Sequence, residues 1–166
     1  MYMSLKIHLT QANIFLKAFA LTKVPMILFT GVSIIELSEQ RTVIKIPLNW
    51  RTKNHLNSMY FGAMAVGADV ASGLYASLLI KESQKKIHLS FKDFTANFLK
   101  RPTSNVFFIV DRVQEIKQLV DEVIEKPNMR KNLPISVIAA TNLKLISEST
   151  VAEFVLTLSL KLHETH

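Results

Sequence analysis

Ser58-Met59-Tyr60-Phe61-Gly62-Ala63-Met64-Ala65-Val66-Gly67-Ala68-Asp69-Val70-Ala71-Ser72-Gly73-Leu74-Tyr75-Ala76-Ser77-Leu78-Leu79-Ile80 is the stretch that decides the fold, and Asp69 is its single formal charge. A run this long and apolar reaches the roughly 20 residues that a membrane-spanning helix needs. A carboxylate near its middle would cost about 3 kcal/mol on insertion scales, and the chain on either side alternates like a half-buried sheet. The stretch therefore reads as the buried helix of a globular fold. Asn57 or Ser58 is placed to cap its start.

Working outward, residues 32–36 and 42–48 read as strands joined by a turn at Ser38-Glu39-Gln40, with Ile44, Ile46 and Leu48 sharing a face. Residues 49–57 are polar and without period, hence a loop. Beyond the helix, residues 86–100 form a long strand. Ile87, Leu89 and Phe91 share one face, and Phe94, Ala96 and Phe98 share one in shifted phase, which implies a bulge near Lys92-Asp93. A short strand at 105–110 precedes an amphipathic helix marked by Val113, Ile116, Leu119, Val120, Val123 and Ile124, with Asp111 as its cap and Pro127 after its end. Strands at 133–141 and 151–162 complete the set. An antiparallel sheet wrapped around the one helix that is apolar on nearly all sides satisfies these patterns, giving an α+β fold. With no repeat and no linker, residues 1–166 read as one domain, 1–24 an amphipathic N-terminal helix and 25–163 the core.

The N-terminal helix has a basic character, with Lys6, Lys17 and Lys23 and no acid. It lacks the clean apolar run of a signal peptide, so packing on the domain is the expectation and contact with a membrane surface the alternative. The net charge of +7 can attract anions. The cations are scattered, however, and no nucleic-acid motif appears, so nucleic acid is not an expected partner. The chain has no cysteine, which removes disulfides and thiolate metal sites. His88, His163 and His166 show no ligand spacing, so no metal is expected. A cytoplasmic location is the simplest reading.

The chemistry concentrates where the polar loop Asn54-His55-Leu56-Asn57 enters the apolar helix. The first N–H groups of a helix lack intrahelical partners and favour an oxygen that gains negative charge. That is the demand of an oxyanion hole in acyl transfer. Gly62 would let a substrate approach the backbone there. Asp69, about two turns on, could act as general base or nucleophile.

These residues carry a resemblance. Asn54, then Tyr60, Gly62 and Asp69 look like the signature of hotdog thioesterases of the phenylacetyl-CoA type, which runs Asn, a turn residue, His-Gly-Gly, then an acid on the central helix. Residues 46–63 resemble an uncharacterised bacterial family of the same superfamily, as do Phe91-Lys92-Asp93-Phe94, Phe98-Leu99-Lys100-Arg101 and Val151-Ala152-Glu153-Phe154. The likeness covers residues 25–162. It implies a hotdog fold, hydrolysis of acyl-CoA or acyl-carrier-protein thioesters with no cofactor beyond the CoA of the substrate, and a homodimer or dimer of dimers in which the Asn and the acid meet across the interface. It makes Asp69 the base or nucleophile, Asn54 the residue that positions water or substrate, and Gly62 the neighbour of the thioester oxygen. His55, Asn57, Ser58, Tyr60 and Phe61 are the candidate substrate contacts, and Lys100 and Arg101 the candidate partners of CoA phosphates. Two positions depart from the signature: Tyr60 replaces the His, and Phe61 the first glycine. A tyrosine hydroxyl donates a hydrogen bond but is no base near neutral pH. Those departures support the alternative of a non-catalytic acyl-CoA or lipid binder.

Overall fold

A computed structural model of the protein describes residues 8–163. Two helices, α1 (Leu9–Thr22) and α2 (Pro25–Thr30), lead into strands β1 (Ser33–Leu37) and β2 (Thr42–Ile46). The long helix α3 (Phe61–Ser83) follows, then β3 (Ile87–Phe98), β4 (Val106–Val110), α4 (Val113–Glu125), β5 (Arg130–Ala140), the single turn α5 (Ile146–Ser149) and β6 (Thr150–Leu162). The strands form one sheet in the order β1-β2-β4-β5-β6-β3, with every neighbouring pair antiparallel.

The expected architecture holds: the sheet wraps α3, which is buried from Ala63 to Leu79 on most of its circumference. Gly67 sets how closely helix and sheet approach. A Cβ there would lie 2.3 Å from the Phe108 ring of β4, so any side chain would force the two apart. The inserted helix α4 adds Val113, Ile116, Val120 and Val123 to the same core. A second, smaller cluster of Val43, Ile109 and Ala140 lies under Phe107, Leu143 and Ile146, which places the α5 segment over it.

Several boundaries differ from the sequence expectation, each for a local reason. The central helix begins at Phe61 rather than Ser58, because residues 58–60 stay extended: Met59 N–H donates to Pro102 O at 2.9 Å and Tyr60 N–H to Thr52 O at 2.8 Å. Neither Asn57 nor Ser58 is therefore a cap; the N-cap is Tyr60, without a side-chain hydrogen bond. Likewise Asp111 lies one residue too early to cap α4, whose N-cap is Arg112. The short α2 and α5 carry too few residues to show a helical period. The bulge in β3 falls between Phe91 and Phe94, where the alternating pattern shifts phase.

The helix α1 sits on the outer strand β1 through Ala12, Leu16 and Ala20. The Asn13 side chain fixes it there. Its Nδ2 donates to Ile34 O at 3.1 Å and its Oδ1 accepts from Ile34 N at 2.9 Å, so one amide side chain occupies the position a further strand would take.

Candidate active site

The loop before α3 is organised by its own side chains. Thr52 Oγ1 donates to Pro47 O at 2.6 Å and accepts from Asn49 N at 3.0 Å. Asn54 Oδ1 accepts from Leu56 N at 2.9 Å, Ser58 N at 3.2 Å and Ser58 Oγ at 3.1 Å. The carbonyl of Asn54 is thus spent on holding the loop, and Ser58 is buried by that contact. Asn57 adopts the left-handed region (φ 56°) that closes the turn, and its Oδ1 accepts from Lys53 Nζ at 3.0 Å. His55 is exposed at the tip.

At the start of α3, Met64 N–H is the first to reach a carbonyl of the helix side, that of Tyr60 at 3.1 Å. The amides of Phe61, Gly62 and Ala63 precede it and lie at the positive end of the helix dipole. The Tyr60 ring covers this end: a Cβ on Gly62 would stand 2.4 Å from it. Gly62 is what lets the ring lie there. Tyr60, Phe61, Phe94 and Phe98 are each about half exposed and form a continuous aromatic surface. Tyr60 and Phe61 rings are 4.6 Å apart, Phe61 meets Phe98 edge-on at 6.5 Å, and Phe94 and Phe98 both pack on Phe154.

Asp69 lies partway along α3, facing the seam between the helix and β3. Burial pushes its carboxyl up to about 6, and among the described residues no cation or donor reaches it. Two concavities share Asp69 and Phe91. An open groove runs outward past Val66 and Phe94, beside the β3 bulge. A half-open cavity of about 260 Å³ runs between α1, α2, α3 and β3, past Phe15, Phe19, Ile27 and Gly73. Asp69 thus lines both. The sequence reading missed the cavity; its signal was Phe15 and Phe19, one turn apart on the N-terminal helix.

The remaining candidates lie elsewhere. Asn54, His55, Lys100 and Arg101 line neither the groove nor the cavity. Lys100 is exposed and donates from Nζ to Glu148 O at 3.1 Å, and Arg101 is exposed. His88 and His163 lie ring to ring, 4.2 Å between centroids, and the neighbouring His88 and the cations around them lower the pKa of His163. Among the described residues no group of three or more His, Asp or Glu side chains could hold a metal ion.

No curated protein matches the chain. Among solved structures, a protein of unknown function from Chlorobaculum tepidum is similar with a TM-score of 0.78 at 14% identity, covering 93% of this chain and 97% of its own. A thioesterase from Haemophilus influenzae is similar with a TM-score of 0.71 at 17% identity, covering 100% and 99%. A thioesterase family protein from Silicibacter pomeroyi gives 0.65 at 18%, covering 94% and 100%. These likenesses show a shared hotdog fold along nearly the whole length. A family model described as a domain of unknown function, DUF4442, matches residues 12–155, and the chain belongs to that family.

Proposed function

We propose that the protein hydrolyses acyl thioesters of CoA or an acyl-carrier protein, with Asp69 as the base or nucleophile. The observation that carries this reading is the carboxyl of Asp69, unpaired among the described residues, raised to about 6 and placed where an open groove meets an apolar cavity. Above that pH it is an anion with no competing partner. It can take a proton from a water attacking the thioester carbonyl, or attack the carbonyl itself. The resemblance to phenylacetyl-CoA-type thioesterases supports the same role, as do the thioesterases that share the fold.

The free amides at the start of α3 are the natural oxyanion donors, yet Gly62 lies about 10 Å along the axis from Asp69. One carbonyl cannot touch both in a single chain. The reading therefore includes a homodimer in which the helix start of one copy, with its Asn54, meets Asp69 of the other. The exposed edge of β3 and the aromatic surface beside it are the proposed contact. An exposed apolar patch of that kind marks an interface. A one-domain, cytoplasmic enzyme fits a CoA thioester as substrate.

The test is release of free thiol from a panel of acyl-CoAs by the wild type, Asp69→Asn and Asp69→Ala. Release lost in both variants while the fold persists supports the assignment; unchanged release removes it. A second reading, a non-catalytic acyl-CoA binder, is favoured by one feature: the Tyr60 ring fills the approach to Gly62. Tight acyl-CoA binding without hydrolysis would select it.

A further inference from the structure

The inner cavity has a direction. On α3 its wall is the line Asp69, Gly73 and Ser77, spaced four residues apart and so on one face, a run of about 12 Å. The next residue on that line, the exposed Lys81, holds its ammonium 4.7 Å from the centroid of the Phe15 ring, so a cation–π contact joins α3 to α1 beyond Ser77. Phe15 and Phe19, stacked 6.1 Å apart, form the roof. Phe91 of β3 packs on α3 at Gly73, 3.3 Å from where a Cβ there would be, and lines the cavity beside it.

Beyond Asp69 the wall is mostly apolar, and its polar side chains are Ser77 and Ser90. Ser77 donates its hydroxyl to Gly73 O at 2.9 Å and so turns it back on the helix. The cavity volume is about 260 Å³. On its outer side α1 is held to β1 by the paired hydrogen bonds of Asn13. The cavity is thus shaped for an apolar body that enters at a carboxylate and ends at a wall.

We propose that this cavity takes the acyl chain of the substrate, carbonyl end at Asp69 and methyl end against Ser77 and Phe15, and that its length selects saturated chains of about ten carbons. A staggered chain with 1.5 Å bonds advances about 1.25 Å per carbon, so the 12 Å from Asp69 to Ser77 accommodates about that number. Shorter chains leave apolar wall in contact with water. Longer ones must displace α1. The placement of the carbonyl rests on the thioesterase reading; the occupancy of the cavity does not.

The experiment has two arms on the full chain. In the first, kcat/KM is measured for butyryl-, decanoyl- and myristoyl-CoA with the wild type, Ser77→Leu and Phe15→Ala. The wild type should prefer decanoyl-CoA. Ser77→Leu, which shortens the cavity, should lower the decanoyl-to-butyryl ratio by about tenfold, the loss of roughly two buried methylenes. Phe15→Ala, which opens the far wall, should raise the myristoyl-to-decanoyl ratio. Hydrolysis with the same length profile in all three proteins overturns the proposal and leaves the thioesterase reading standing. In the second arm, binding of butyrate, decanoate and myristate to Asp69→Asn is followed by calorimetry, with the two wall substitutions added in turn. Length-dependent binding that shifts with them upholds the cavity even if no thioester is cleaved. Absence of decanoate binding, or binding indifferent to both substitutions, overturns it.

Discussion

The two edges of the sheet are built in opposite ways. β1 has five residues, a bulge between Ile34 and Glu36, an ion pair from Glu36 to Arg41 at 2.6 Å, and the Asn13 amide seated on Ile34. β3 has twelve residues, pairs among the described residues only with β6, and shows Phe94 and Phe98 half exposed. Short, bulged and covered edges resist further pairing, whereas long open ones invite it. Asp69 lies under the second edge, beside its bulge. The difference teaches that one edge of the sheet is covered from within the chain while the other stands open, and that the candidate site lies beside the open edge, which the proposed homodimer would use.

Four substitutions break or sharpen this contrast. The largest effect is expected at Asp69. Asp69→Asn should lower kcat by about 10²-fold or more, and in the wild type kcat/KM should rise with pH to a plateau with its midpoint at about 6. The stability effect runs the other way. The folded carboxyl titrates above the unfolded value near 4, so the folded state holds the proton more tightly. The contribution of Asp69 to stability is fully present below about pH 4, is lost as pH rises through about 6, and is constant above. Asp69→Asn should therefore unfold later than the wild type at pH 8, by roughly 2 kcal/mol after allowance for partial exposure, with the gain vanishing near pH 4 in denaturant titrations.

Next comes the open edge itself. Phe94→Lys places a charge on β3, and should weaken self-association by at least about tenfold in analytical ultracentrifugation, with hydrolysis falling in step. A protein that is monomeric before the change and equally active after it would separate Asp69 from any need of a partner. At the closed edge, Asn13→Ala removes both hydrogen bonds to Ile34 and should cost about 1–2 kcal/mol, lowering Tm by about 2–8 °C. It should also increase aggregation on storage. The smallest change is Glu36→Ala. Its ion pair with Arg41 is about one-third exposed, so the loss should stay within about 1 kcal/mol and shrink further in high salt.

Much of this plan was legible in the chain. The central helix announced itself by length and apolarity, and β6 by strict alternation of Phe154, Leu156, Leu158 and Leu160 with outward residues. The bulge between Phe91 and Phe94 was visible as a phase shift. The helix start was misplaced by three residues because hydrogen bonds from Met59 and Tyr60 to distant carbonyls hold the chain extended, and nothing local encodes those. The turn α2 did carry a signal that went unread: Pro25 at its first position and Gly31, at φ 69°, just past its end. At the site, Asp69 stood out as a lone carboxylate among apolar residues. The use of the Asn54 carbonyl in the loop, the Tyr60 ring over Gly62 and the cavity under α1 did not, since each depends on which segments meet after folding.

The bond from Ile34 N–H to the Asn13 side chain gives that amide an unusual status. A proton on an outer strand normally faces water and exchanges freely, or is held by a neighbouring strand and exchanges with it. This one is shielded by a side chain from α1, so its exchange with solvent deuterium follows the detachment of α1 without requiring the sheet to open. A single resonance can thus count how often the roof of the cavity lifts. Added decanoate should slow that count if the chain it carries lies beneath.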